Sequence, residues 1–193
     1  MSGLLDRRSL VAHVLQQRGA ALVVSGLGAP TYDCAAAGDS PSNFYLWGAM
    51  GGAAMVGLGL ALAQPTRRVV VVTGDGELLM GSGALAVIGV ERPDNLAILV
   101  LDNEAFGETG RQPGLTAAGL DLAEMAAAAG FGRTFVARGD ADLDTVCRAV
   151  YDSPGPTLTV AKVALSHDPP CLPTRDGPFL TRRFRDGLGV EEA

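Results

Sequence analysis

Two uninterrupted apolar runs, Val69–Val72 and Leu96–Leu101, flank a stretch with helical spacing from Leu78 to Val90. Each run ends abruptly in polar residues, Gly74-Asp75-Gly76 after the first and Asp102-Asn103 after the second. Parallel strands need a long crossover, usually a helix, and the crossover helices cover both faces of the sheet. Short Val/Ile/Leu runs joined through a helix therefore predict two neighbouring parallel strands buried on both sides. Asp75 and Asn103 then emerge at the same edge, the carboxyl ends, where open α/β sheets bind ligands.

The rest of the chain repeats the pattern. Leu5 to Arg18 predicts an amphipathic helix with a stripe of Leu5, Leu10, Val11, Val14 and Leu15, ended by Gly19. Ala21–Ser25 predicts a first strand that stops at Gly26-Leu27-Gly28. Ala29 to Leu46, with Pro30, Gly38, Asp39, Ser40, Pro41 and Ser42, reads as a long irregular loop, a kind that is usually functional. A buried helix is expected from about Gly51 to Ala63, and a second irregular segment after Asn103. Leu120–Ala129 reads as an Ala-rich helix ended by Gly130, and Thr134–Ala137 as a short strand. Asp140–Tyr151 reads as a helix with Asp140 or Asp142 as N-cap, and Thr157–Val163 as the last strand. Strand and helix alternate throughout. The expected class is α/β: a three-layer αβα domain with a mostly parallel sheet of five or six strands, spanning residues 1–193 with an irregular tail from about residue 166.

Composition narrows the function. Apolar residues make up 48% of the chain, which excludes general disorder, and the net charge of −6 argues against a nucleic-acid partner. The arginines near the end, Arg175, Arg182, Arg183 and Arg185, are mixed with Asp176, Asp186, Glu191 and Glu192 and read as a solvated tail. Leu46 to Ala63 carries no charge over eighteen residues, close to a membrane span, but five are Gly and it runs straight into the Val69 strand. A buried helix is the better reading, and no membrane association is expected. Cys34, Cys147 and Cys171 lack CxxC spacing, and charges interrupt every apolar run in the first nineteen residues. Both features point to a cytoplasmic protein without a signal peptide.

Gly74-Asp75-Gly76 closes a strand and opens a helix, a geometry that lets backbone approach an anion. The dinucleotide fingerprint needs a third Gly where Leu79 stands, and the NTPase phosphate loop needs a Lys that Gly81-Ser82 lacks. Twenty-six residues separate Gly76 from Asn103, and this spacing resembles the thiamine diphosphate signature, GDG followed some two dozen residues later by Asn. Two further blocks extend the resemblance. Asn43-Phe44-Tyr45-Leu46-Trp47-Gly48-Ala49-Met50-Gly51 is similar to the aminopyrimidine-binding loop of thiamine-dependent decarboxylases, and Phe106-Gly107-Glu108-Thr109-Gly110-Arg111-Gln112 to the segment after that family's Asn. Within the family the blocks, from about Gly26 to Gln112, are most similar to the β subunit of sulfopyruvate decarboxylase and next to the C-terminal part of phosphonopyruvate decarboxylase.

The resemblance implies a residue set. Asp75, Asn103 and the Ala105 carbonyl would ligate Mg²⁺, which takes few protein oxygens and completes its octahedron with phosphate and water. Gly74, Gly76, Glu77, Phe106 and Gly107 would line the diphosphate, with the Gly76 and Glu77 N–H groups as donors. Gly48, Ala49 and Met50 would hold the pyrimidine. Gly48 and Met50 would act catalytically, the Gly48 carbonyl accepting from the 4′-amino group and the Met50 side chain enforcing the cofactor's bend. Glu77 stands where the family often has Ser, so its carboxylate is expected to point outward. His13 and His167 read as structural, Glu104 and Glu108 as solvated carboxylates or general acids, and Arg111 as a solvated residue or a contact for an acidic substrate.

Thiamine enzymes also need a Glu from a separate pyrimidine-binding domain, for which this chain has no room. The resemblance therefore implies half an active site, completed by an α subunit in an α₂β₂ or larger heteromer, acting on a small 2-oxo acid. The leading expectation is 3-sulfopyruvate decarboxylation. Phosphonopyruvate decarboxylation, carboligation by another split thiamine enzyme, and a non-catalytic cofactor-binding homologue are the alternatives.

Overall fold

The computed structural model describes residues 3–166 and 168–190. In chain order the elements are α1 (Arg7–Gln16), β1 (Leu22–Ser25), α2 (Ala29–Ala36), β2 (Asn43–Tyr45), α3 (Ala53–Ala63), β3 (Val69–Gly74), α4 (Asp75–Met80) and α5 (Gly83–Glu91). They continue with β4 (Leu96–Asp102), β5 (Ala105–Phe106), β6 (Gln112–Pro113), α6 (Leu122–Ala129), β7 (Arg133–Ala137), α7 (Leu143–Tyr151), β8 (Thr157–Lys162) and α8 (Gly177–Leu188). Six strands form one parallel sheet in the order β2-β1-β3-β4-β8-β7, and β5 and β6 form a separate antiparallel hairpin.

The apolar runs divide by period two, as strands covered on both faces must. Leu22, Val24, Val69, Val71, Ile98, Val100 and Leu158 pack against α3, α5 and α6 on one face. Val23, Val70, Val72, Ala97, Leu99 and Leu101 pack against α1, α2 and α7 on the other. These are the three layers expected. The glycine-rich helix α3 is buried through Ala53, Ala54, Gly57, Leu58 and Ala61, and no helix among the described residues is long and apolar enough to cross a membrane.

Four expectations need correction. The segment after Asn103 is not irregular throughout, since Ala105–Phe106 and Gln112–Pro113 pair as the β5–β6 hairpin. The stretch from Ala29 to Leu46 is not a continuous loop but contains α2 and β2. Pro30 marks no break, because it occupies the first turn of α2, where its missing N–H costs nothing. The segment from Leu78 to Val90 is two helices, α4 and α5, interrupted at Gly81 and Ser82. The tail is not irregular throughout: Asp176 caps α8 by accepting from the Phe179 N–H at 3.0 Å, and Leu180 and Phe184, one helical turn apart, are buried.

Helix α8 lies across the β2 edge of the sheet, with Phe184 joining one core layer and Leu180 the other. The Arg183 guanidinium makes two contacts with the Asp39 carboxylate, at 2.6 and 3.1 Å, and donates to the Asn43 carbonyl at 3.3 Å. The Phe44 and Phe184 rings meet at 5.3 Å between centroids. Arg175 sits 4.8 Å over the Trp47 ring, whose Nε1 donates to the Thr174 carbonyl. Arg183 is thus an anchor rather than a solvated residue, while Arg175 stays exposed as it stacks on Trp47. Replacement of Phe184 by Ala is expected to cost about 3 kcal/mol, the usual toll for emptying a buried aromatic site. Chemical denaturation at constant m-value checks it; a loss below half of that would show α8 to be dispensable.

A candidate ligand site at the strand ends

The strand order reverses between β1 and β3: the chain leaves β1 for β2 on one side and later returns to β3 on the other. A crevice opens at such a switch point, outside the carboxyl ends. Here it is a cavity of about 360 Å³ whose wall includes Met50, Gly74, Asp75, Gly76, Glu77, Asn103, Ala105, Phe106 and Gly107. Nine of the eleven residues singled out from sequence therefore meet in one place. Gly48 and Ala49 do not line the cavity; they lie exposed on the loop beside it, Gly48 at φ +75°. His13 lies away from the cavity on α1, beside Gln17, and His167 falls outside the described residues.

Asp75 begins α4 at the end of β3 and is 3% exposed. The Thr116 hydroxyl lies 3.0 Å from its Oδ2 and 2.9 Å from Oδ1 of Asp102, a second buried carboxylate at the end of β4. One hydroxyl hydrogen cannot serve two carboxylates at once. Burial first, and the Asp102 charge second, push the Asp75 carboxyl above the usual carboxylate range, against its hydrogen bonds to Thr116 and the neighbouring backbone. Lys162, paired with Asp102 in register on β8, forms ion pairs with Asp102 at 2.7 Å and with Glu104 at 2.7 Å. That cation is committed to Asp102. Asp75 is left as a desolvated carboxylate beside a like charge, an arrangement that a divalent cation in the cavity would relieve.

The other donors suit a hard cation. The Asn103 side-chain oxygen accepts from the Ala105 N–H at 3.0 Å, an Asx turn that fixes the direction of the chain into β5. In the β5–β6 hairpin, Gly114 N–H donates to Glu104 and Arg111 N–H to Phe106, the carbonyls on either side of Ala105. Opposite Ala105 stands Pro113, which has no N–H to give. A carboxylate, an amide oxygen and a carbonyl on one cavity wall are oxygen ligands of the type Mg²⁺ takes, and the residues present fit that ion.

Glu77 corrects an expectation. Its side chain does not point outward: it is 5% exposed, and its Oε1 accepts from the Gly51 N–H at 3.0 Å and the Ala53 N–H at 3.3 Å. Burial raises its pKa and those two N–H groups oppose the rise. Sequence reasoning also passed over Asp102, Thr116 and Lys162, which support Asp75. Alternation along β4 would have placed Asp102 on the face opposite Asn103, but nothing local indicated that Thr116 returns to meet it. The Ser166 hydroxyl, on the cavity wall, is buried with no hydrogen-bond partner among the described residues.

Residues 31–161 match the family model described as "Thiamine pyrophosphate enzyme, C-terminal TPP binding domain". The chain belongs to that family. It is 41% identical over 170 residues to a phosphonopyruvate decarboxylase from Streptomyces viridochromogenes, covering 86% of this chain and 41% of that protein. It is 44% identical over 110 residues to a sulfopyruvate decarboxylase subunit beta from Methanothermobacter thermautotrophicus, covering 57% of this chain and 58% of the relative. A subunit beta from Methanococcus maripaludis is 32% identical over 158 residues, 84% of its length. The chain thus spans about two fifths of one decarboxylase relative and more than half of the subunits. The fold matches an X-ray structure from Mycobacterium smegmatis described as a thiamin diphosphate-dependent enzyme, with a TM-score of 0.72 and 20% identity over 84% of this chain and 32% of that one.

Proposed function

We propose that this chain is the diphosphate-binding subunit of a cytoplasmic, thiamine diphosphate- and Mg²⁺-dependent 2-oxo acid decarboxylase, acting most readily on 3-sulfopyruvate. The observation that carries this reading is the wall shared by Asp75, Asn103, Ala105 and Met50 in one cavity. Asp75, Asn103 and the Ala105 carbonyl hold the metal ion, and the backbone at Gly76 and Glu77 meets the diphosphate. Met50 would support the cofactor, and the Gly48 carbonyl, on the loop beside the cavity, would accept from its pyrimidine amino group. Thiamine diphosphate supplies the electron sink into which a 2-oxo acid loses CO₂. The chain's own work is to fix both ends of the cofactor so that amino group and reacting carbon are held together. Phosphonopyruvate is the second substrate, favoured by the 41% identity to a phosphonopyruvate decarboxylase.

A partner supplies the remaining acid–base residue, a Glu facing the pyrimidine. Met50, Met55, Val56, Met80, Val87 and Val90 are exposed on and around α3 and α5, Met80 at 68% and Val90 at 79%. Exposed apolar side chains on α3 and α5, two helices in contact with each other, are of the kind a subunit interface buries. The relatives named subunit beta support the same division. The chain alone, given thiamine diphosphate and Mg²⁺, is expected to show negligible decarboxylation of 3-sulfopyruvate, and co-expression with its pyrimidine-binding partner to restore it. Full activity from the purified single chain would defeat the two-subunit reading. A complex active only on phosphonopyruvate would reassign the substrate.

A further inference from the structure

The loop that carries Met50 closes one turn on itself, Gly52 N–H donating to the Ala49 carbonyl at 2.9 Å, but the Gly51 and Ala53 N–H groups are served from outside it. Gly48 and Gly51 adopt left-handed backbone, at φ +75° and +88°, and Gly52, the N-cap of α3, has no side chain with which to cap it. The N–H groups at the start of a helix need acceptors from elsewhere. Glu77, twenty-four residues later in α4, provides one. A single oxygen, Oε1, accepts from both Gly51 and Ala53, so the charge is placed at the N-terminus of α3 from another element. The other oxygen lies against Gly26 at the end of β1, where a Cβ would come within 2.8 Å of it. The Glu77 carboxylate is thereby enclosed between the β1 turn and the Met50 loop, while its backbone belongs to the Gly74-Asp75-Gly76 turn.

We propose that Glu77 is a positioning residue: its buried carboxylate fastens the Gly48–Ala53 loop to α4 and so sets the distance between the two ends of the cofactor site. The proposal rests on the cofactor reading above for its functional part. Asp75 and Glu77 lie on one short helix, so the residue next to the diphosphate end and the anchor of the pyrimidine end move as a unit. The role is distinct from binding: the carboxylate faces backbone N–H groups, not a ligand, and its effect on the reaction passes through Met50 and Gly48.

Two variants separate the acceptor from the volume it occupies. Glu77→Gln keeps an oxygen at the same reach, and Glu77→Met fills the space with none. Amide hydrogen exchange on the full chain is expected to speed up about tenfold at Gly51 and Ala53 in Glu77→Met, each amide having lost its charge-assisted hydrogen bond to the carboxylate. It should stay within about threefold of wild type in Glu77→Gln, with Val70–Val72 on β3 unchanged in both. Gly26→Ala, whose methyl group displaces the carboxylate, should reproduce the Glu77→Met exchange pattern. In the reconstituted complex Glu77→Met should lower kcat about tenfold while the thiamine diphosphate concentration for half-maximal activity moves less than about threefold, and Glu77→Gln should restore the rate. Wild-type exchange at Gly51 and Ala53 in Glu77→Met would overturn the clamp. A Gln variant as slow as the Met variant would overturn its functional role. A wild-type complex without decarboxylase activity would instead refute the proposed function, and the exchange result would still decide the clamp.

Discussion

Asp75→Asn is expected to abolish cofactor-dependent decarboxylation by the reconstituted complex while leaving the chain folded. The loss should be about a thousandfold or more, since removing a charged ligand from a bound divalent cation forfeits several kcal/mol. The asparagine keeps the shape and an oxygen for Thr116, so the substitution isolates charge. Its effect on stability has the opposite sign. A carboxyl whose folded pKa is raised favours the folded state most when protonated, and that contribution fades as pH rises through the folded pKa. Burying this carboxyl beside Asp102 therefore burdens the chain without its cofactor increasingly as pH rises, and the amide removes that burden. Thermal unfolding of the cofactor-free variant at pH 7 should match or exceed wild type, and its midpoint should lose part of the wild-type dependence on pH. Thiamine diphosphate and Mg²⁺ should raise the midpoint of wild type but not of the variant. A variant with undiminished activity would remove Asp75 from the metal site; one that melts much earlier would mean the carboxylate is needed for the fold.

Gly81→Ala is expected to damage both fold and site. Gly81 ends α4, and a Cβ there would lie 2.0 Å from the Gly51 carbonyl oxygen and 2.8 Å from its carbon. Both atoms belong to backbone, so no rotamer change relieves the clash. Gly51 cannot yield, because it sits at φ +88° and is itself packed on Gly81, a Cβ on it falling 2.9 Å from the Gly81 nitrogen. The cost should be about 3 kcal/mol, at the upper end for a single extra methyl group in a packed interior. The loop bearing Met50 would be lifted from α4, and activity of the complex should fall about tenfold or more. Gly83→Ala is the control: a Cβ there meets nothing within 4 Å, and a helical alanine should be neutral or stabilising by up to about 1 kcal/mol. Equal behaviour of the two variants in denaturation would refute the close-approach argument.

The layers of this fold were legible because burial on both faces leaves its mark locally. Val69–Val72 and Leu96–Leu101 are apolar at every position, and only a covered parallel strand needs that. Asp75 and Asn103 were legible because a strand end and a fixed spacing determine where they emerge. What stayed hidden depended on contacts between distant segments. The interruption between α4 and α5 falls at Gly81-Ser82-Gly83, a breaker cluster within the segment, whereas the close approach of Gly51 to Gly81, thirty residues away in sequence, had no local signal. Glu77 was read as a charge to be kept from phosphate, whereas the need for it arises from the Gly51 and Ala53 N–H donors at the glycine-rich start of α3. The α8 helix is a different case. Asp176, Pro178, the Leu180–Phe184 pair and Gly189 supply a cap, a first-turn proline, an apolar stripe and a stop, and the arginines between them masked a complete helix signature.

Helix α8 also bears on how the molecule meets others. The outermost strand β2 has only three residues, and an unpaired strand edge is where a foreign strand can extend a sheet. Leu180 and Phe184 reach round that edge into opposite core layers, and Arg183 occupies the outward carbonyl of Asn43. Sheet continuation is closed on this side of the molecule. Contacts at this end of the sheet must therefore form through side-chain packing, and a truncation that removes α8 would expose a sticky margin open to indiscriminate strand pairing.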